Sequence, residues 1–240
     1  MLGTLYGIGV GPGDPELLTL KAVKVLSKVA HVFAAASSKN DYSLAYEIVR
    51  EHLPANIPVD QLNFPMTFNP ESLETAWQAN CEKVVEILKE GKHVAFLTLG
   101  DPLTFSTFIY LMRKIRQRLP EVTISIVPGI TSFQAAAACA SVPLAEAEEV
   151  FTVVSGAKGG DRLKEVIAAS DNVVLMKTYK QFPQILQRVE EMGLKDCCCF
   201  ISRCGLEGEI VERDFKKLVE MPQPNYLSLM IIKKRGLESS

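Results

Sequence analysis

Short apolar runs alternate with amphipathic stretches along most of the chain. "LYGIGV" reads as a strand, and behind it Leu18, Ala22, Val25, Leu26 and Val29 fall on one helical face. Asp14 stands where an N-cap would, Pro15 fits the first helical position, and Glu16 complements the dipole. "HVFAA" is a second strand, and residues 42–53 and 71–90 carry helical spacing, with "VDQLNF" a possible short strand between them. "HVAFLTL" is apolar throughout, the pattern of a strand covered on both faces. "LTFSTFIYLMRKIRQRL" predicts the next helix and "TISIV" the next strand. This alternation predicts a parallel α/β sheet.

After "VPGITSFQAAAACASVPLA" the rhythm changes. "VFTVVSG", "NVVLMK", "CCCFIS", "GEIVER" and "NYLSLMIIKK" read as strands, with helices near 161–169 and 182–192. The last strands are closely spaced, so hairpins are expected and the sheet should be mixed. Two α/β domains result, 1–128 with a mainly parallel sheet and 129–240 with a mixed one, joined near Pro128–Gly129.

Composition narrows the class. The 240 residues are 48% hydrophobic and 22% charged, as in a soluble globular protein. A net charge of −2 implies no basic face and argues against a nucleic-acid partner. No apolar run approaches the roughly 18 residues of a membrane span. "MLGTLYGIG" lacks a charged n-region and a cleavage site, so no signal peptide is expected and the cytoplasm is the simplest location. Cys81, Cys139, Cys197, Cys198, Cys199 and Cys204 contain no C-x-x-C pair. They are expected as thiols serving as small buried hydrophobes, with no metal, and "DCCCF" should begin a strand whose neighbours face opposite ways. His31, His52 and His93 are far apart and are read as capping or packing residues.

The chemistry lies in the loops. "GIGVGPGDPELLTLKA" places four glycines within Gly7–Gly13, yet no G-x-G-x-x-G register fits: the third position holds Pro12 or Asp14. The acidic residue expected about 20 positions later would fall in "VFAAASSK", which has none. The G-K-[ST] ending of a phosphate loop is also missing, and Asp14 puts a carboxylate where a phosphate would sit. Two more strands end alike, in "LGDP" and "VPGITS", and the aspartate of "GDP" should again cap a helix that the proline starts. Ligands of open α/β sheets bind outside the carboxyl ends of strands. Three glycine loops there would offer bare backbone N–H and C=O groups, suited to an adenosine read by hydrogen bonds rather than by charge.

These motifs, together with "VAFLTLGDPLTFST", "VPGITSFQAAAA", "VVLMK" and "NYLSLMIIKK" in order along the whole chain, resemble the tetrapyrrole methylase family. "SSK" after the second strand and "NFPMT" at 63–67 resemble its branch that methylates carbon 20 of precorrin-2 or cobalt-factor II in cobalamin biosynthesis. The resemblance implies S-adenosylmethionine as methyl donor, two α/β domains with the cofactor between them, a tetrapyrrole substrate and a homodimer. Carried over by motif, the implied cofactor contacts are Pro12, Leu99, Gly100, Asp101, Thr104, Thr131, Ser132, Met176 and Gly205. Relatives acting on uroporphyrinogen carry an Asp-Arg-Leu triplet after the second strand. Here that region is Ala34-Ala35-Ala36-Ser37, which argues against that branch and removes the obvious catalytic carboxylate.

No general base is identified. Asp101 reads better as a cap and loop organiser than as a base. Lys177, Tyr179 and Arg203 follow strands and could face substrate carboxylates, but read more simply as surface residues. Two rival readings stay open: a family member acting at another ring position, on diphthamide or on ribosomal RNA, and a nucleotide-sensing domain without turnover.

Overall fold

The computed structural model describes residues 1–36, 43–65, 67 and 69–237. It divides into two units, Met1–Thr131 and Ser132–Ser240. The first contains strands β1 (Thr4–Gly9), β2 (His31–Ala36), β3 (Val59–Asn63), β4 (Val94–Thr98) and β5 (Thr123–Val127). Their order is β3-β2-β4-β1-β5, and every pairing is parallel. The helices are α1 (Leu20–Leu26), α2 (Leu44–Val49), α3 (Pro70–Lys89) and α4 (Phe108–Arg118).

Alternation along the strands explains the two layers. Val94 and Phe96 join Leu5 in a core with α3 and α4, while Ala95 and Leu97 join Ile8 and Val10 in a second core with α1 and α2. β4 is therefore buried along its whole length, which is why it shows no polar alternation.

Two helices begin later than their sequence pattern predicts. Asp14 caps only a 3₁₀ turn, Pro15–Leu17, by accepting the Glu16 N–H at 2.8 Å. Leu18 is extended, and Thr19 then caps α1 through the Ala22 N–H at 3.2 Å. Two capping residues in close succession split one expected helix, although Ala22, Leu26 and Val29 still form its buried stripe. The expected helix over 42–53 is α2 followed by a 3₁₀ turn, Arg50–His52, its first residue lying outside the described set.

α4 starts at Phe108 rather than near Leu103. The Asp101 carboxylate takes the Leu103 N–H at 2.9 Å and the Thr104 hydroxyl at 3.3 Å. Phe105 then turns left-handed, with φ of 51°, and Ser106 Oγ accepts the Phe108 N–H at 3.1 Å. Asp101 is thus the centre of a turn and not the cap of α4, contrary to the sequence expectation.

The second unit contains α5 (Ser132–Ala140), β6 (Phe151–Ser155), α6 (Leu163–Ala169), β7 (Asn172–Met176), α7 (Phe182–Glu191), β8 (Cys198–Ser202), β9 (Ile210–Glu212), α8 (Phe215–Glu220) and β10 (Ser228–Lys233). The sheet order is β6-β7-β10-β8-β9, with β6 and β7 parallel and the other pairs antiparallel, a mixed sheet as expected. Cys198 faces the core with α6 and α7, and Cys199 the opposite one with α5.

β10 is buried from end to end, including Lys233, whose Nζ is the one buried side-chain polar atom without a hydrogen-bond partner among the described residues. An ammonium held out of water with no partner is destabilising. Lys233→Met keeps the aliphatic stem and removes the charge, and should stabilise the protein by about 1–3 kcal/mol. That is several degrees in Tm for a chain of this size. An unchanged or lower Tm would show the ammonium to be solvated or paired.

Candidate functional site

β1 lies between β4 and β5, so the loops Gly9–Asp14, Leu99–Thr104 and Pro128–Thr131 leave adjacent strands at their carboxyl ends. Gly11 and Gly100 pair as an isolated antiparallel bridge. The Gly100 N–H donates to Gly11 O at 2.7 Å, and the Gly11 N–H to Gly100 O at 3.4 Å. The backbones come closest at Gly9, Gly100 and Gly129. A Cβ on Gly9 would lie 2.5 Å from Gly100 O, and one on Gly129 2.2 Å from the same oxygen. Glycine is required at 9 and 129 for space, and is favoured at Gly100 by a φ of 67°.

This revises the reading of the loops. The N–H groups of Gly11 and Gly100 bond within the bridge, and the Gly129 N–H donates to Asp101 Oδ2 at 3.2 Å. The glycines lock three loops together, and recognition of a ligand falls to the residues around them. Asp101 is the fastener: one oxygen holds its own loop and the other the loop after β5. No Lys, Arg or His occurs in 9–14, 99–104 or 128–131, whereas Asp14 and Asp101 do. The two carboxylates repel a phosphate here and attract a positively charged ligand.

Six of the nine positions carried over by motif lie in these loops: Pro12 and Gly100 buried, and Leu99, Asp101, Thr104 and Thr131 half-buried. The other three lie in the second unit. Ser132 opens α5, Met176 ends β7 and Gly205 follows β8. Leu229 of β10 pairs with Met176 on one side and Ile201 on the other, so Met176 and the turn at 203–205 share one end of that sheet. Lys177, Arg203 and Gly205 are all left-handed there, with φ of 59°, 54° and 73°. Two side-chain-bearing residues in that region at one sheet end mark a tightly determined turn cluster. Burial pushes the Lys177 pKa down. The Arg203 Nε donates to Glu207 O at 2.6 Å and holds its own loop. Tyr179 packs edge-on against Tyr226 with ring centroids 5.1 Å apart.

Several sequence features have other roles. Of the branch motifs, "SSK" lies outside the described residues, as does Met66 of "NFPMT", while Phe64 packs edge-on against Phe96. His31 bonds Asp60 at 2.9 Å and packs at a tilt against Phe33, and His93 Nδ1 accepts the Thr4 N–H at 3.0 Å. Cys81, Cys198 and Cys199 are buried as expected, but Cys139 is exposed and Cys197 and Cys204 are half-buried. Cys139 and Cys204 also come together with Glu209, a grouping that their separation along the chain conceals.

The model of the tetrapyrrole (corrin/porphyrin) methylases matches residues 4–217. The chain is similar to the cobalt-precorrin-2 C(20)-methyltransferase of Salmonella typhimurium, with 34% identity over 98% of each chain. It is also similar to the "probable cobalt-precorrin-2 C(20)-methyltransferase" of Methanocaldococcus jannaschii, with 36% identity over 96% of each. Among solved structures, the uroporphyrin-III C-methyl transferase of Thermus thermophilus complexed with S-adenyl homocysteine shares the fold, at a TM-score of 0.70 and 22% identity, covering 97% of this chain and 92% of that one. With its two sheets of the same build and most of its length matched, the chain belongs to the tetrapyrrole methylase family.

Proposed function

We propose that the protein transfers one methyl group from S-adenosylmethionine to carbon 20 of precorrin-2 or of its cobalt complex, in cobalamin biosynthesis. The observation that carries the donor is the glycine junction, three loops at strand ends with two carboxylates and no basic residue. Its charge suits a sulfonium and opposes a phosphate. The nine positions named above are proposed to hold the donor, with Leu99 and Met176 supplying apolar contact and Thr104 and Thr131 hydrogen-bonding groups. The names of the full-length relatives support the substrate.

When bound, the donor supplies an electrophilic methyl carbon. The protein's task is to hold the enamine-like carbon of the reduced macrocycle in line with it, about 3 Å away, and such positioning contributes on the order of 7–11 kcal/mol. Asp101 serves this by fixing two loops, its carboxylate being engaged by three donors. A homodimer is part of this proposal, to be checked by light scattering for the mass of two chains.

The test is incubation with precorrin-2 and, separately, its cobalt complex, using a ¹³C-methyl donor and NMR. One label at carbon 20 of at least one substrate is expected. Label elsewhere, or none on either while uroporphyrinogen is methylated, refutes the assignment. Calorimetry should show S-adenosylhomocysteine binding and no binding of NAD or ATP. Tight NAD binding would refute the donor.

A further inference from the structure

In the second unit, next to Gly205 of the positions proposed to hold the donor, Cys139 Sγ, Cys204 Sγ and a Glu209 carboxylate oxygen all lie within 4.8 Å of one another. Cys139 lies in the last turn of α5, and Cys204 and Glu209 in the connection between β8 and β9. We propose that these three side chains form a binding site for one divalent cation of borderline softness, zinc fitting best, that clips the β8–β9 connection to α5.

The donor set points to that class of ion. Two sulfurs select against magnesium and calcium, which take oxygen ligands, and sulfur with carboxylate suits zinc. With Zn–S of about 2.3 Å and Zn–O of about 2.0 Å, tetrahedral ligand atoms lie about 3.5–3.8 Å apart. The three groups therefore need to close by at most about 1.3 Å, within the reach of small side-chain torsions at an exposed Cys139 and Glu209. A fourth position is left for water.

The third ligand is held in place by its own turn. Glu209 accepts the Gly205 N–H at 2.8 Å, and its backbone N–H donates to Leu206 O at 3.1 Å. No Lys or Arg pairs with Glu209 among the described residues, so no resident cation competes for the site. Without an ion, desolvation and the Glu209 hydrogen bond raise the Cys139 thiol, and burial raises Cys204, so both carry protons at neutral pH. Glu209 is held low by the Gly205 N–H and is already a carboxylate. Binding then balances as M²⁺ plus two thiols and one carboxylate giving a bis-thiolate carboxylate complex and two protons.

The experiment uses the full chain, reduced and freed of metal by a chelator. Zinc is titrated against a chromophoric chelator, protons are counted with a pH indicator, and Co²⁺ is used for its thiolate charge-transfer band. One ion per chain, two protons released, and a zinc-dependent rise in Tm are expected. Cys139→Ser or Cys204→Ser should each lower zinc affinity by more than the roughly 10–100-fold that losing an orienting partner costs. Glu209→Gln should lower it less, and Cys197→Ser should leave it unchanged. No zinc binding by the reduced chain overturns the proposal, as does equal binding by the Cys139→Ser/Cys204→Ser double variant with native circular dichroism. A Cys139–Cys204 disulfide forming in its place, with no zinc taken up after reduction, overturns it as well.

Discussion

Gly129→Ala is expected to destabilise the first unit by about 3 kcal/mol or more, the upper end of the cost of overpacking. The new methyl would stand 2.2 Å from Gly100 O and 2.8 Å from Gly9 Cα. Both obstacles are backbone, and neither can swing aside as a side chain would. Gly100 is further tied by its bridge to Gly11, so relief requires parting the loops after β1 and β4. Gly9→Ala should behave alike, its methyl lying 2.6 Å from Gly129 N. Gly193→Ala is the control, because nothing lies within 4 Å of its Cβ position and only its φ of 70° opposes the change. That conformation costs roughly 1–2 kcal/mol. Urea unfolding of the three variants decides the matter. If Gly129→Ala costs no more than Gly193→Ala, the junction yields easily and is not what fixes the loops.

The second large effect concerns Asp101. Asp101→Ala removes the acceptor of three donors, the Leu103 and Gly129 N–H groups and the Thr104 hydroxyl. Hydrogen bonds to a charged group contribute about 1.5–3 kcal/mol each when buried, and partial exposure here reduces the total. A loss of about 2–3 kcal/mol in stability is expected, with weaker binding of S-adenosylhomocysteine as the loops part. Asp101→Asn keeps one oxygen but turns an amide N–H toward the Gly129 N–H, and should fall between wild type and Asp101→Ala. The rate at saturating donor should drop by less than tenfold in Asp101→Asn, because a positioning group is recovered once the donor is forced on. A drop of about 10²–10⁴-fold with donor affinity and Tm intact would instead identify Asp101 as the general base.

Much of this is legible along the chain, and the exceptions have physical reasons. β4 can be read from an unbroken apolar run because helices cover both of its faces. Cys198 and Cys199 can be assigned opposite faces because a strand alternates. α5 escapes notice because "FQAAAACA" offers little apolar–polar contrast, and α8 because six residues span less than two turns. The start of α4 is misplaced because Asp101, Pro102 and Thr104 match a helix opening, while their hydrogen bonds run to Leu103 and Gly129. That Gly129 partner lies in the loop after another strand, and no local pattern reports it. The same limit hides Gly9 against Gly129, and Cys139 against Cys204. Glycine-rich loops are visible in sequence, but whether their backbones face a ligand or each other depends on which strands are neighbours.

The place of β1 between β4 and β5 in its sheet also governs how the chain can be made. Leu5 pairs with Val94 on one side and Ile124 on the other, so the strand is synthesised long before either neighbour. At roughly 5–20 residues per second, on the order of 10 s separates β1 from β5 leaving the ribosome. Until β4 emerges within that interval, β2 and β3 can pair only with each other and β1 has no partner. The four strands β3-β2-β4-β1 therefore come together only once β4 has emerged, with β5 added at the edge, and a nascent chain stalled before residue 94 should remain open to proteases and chaperones.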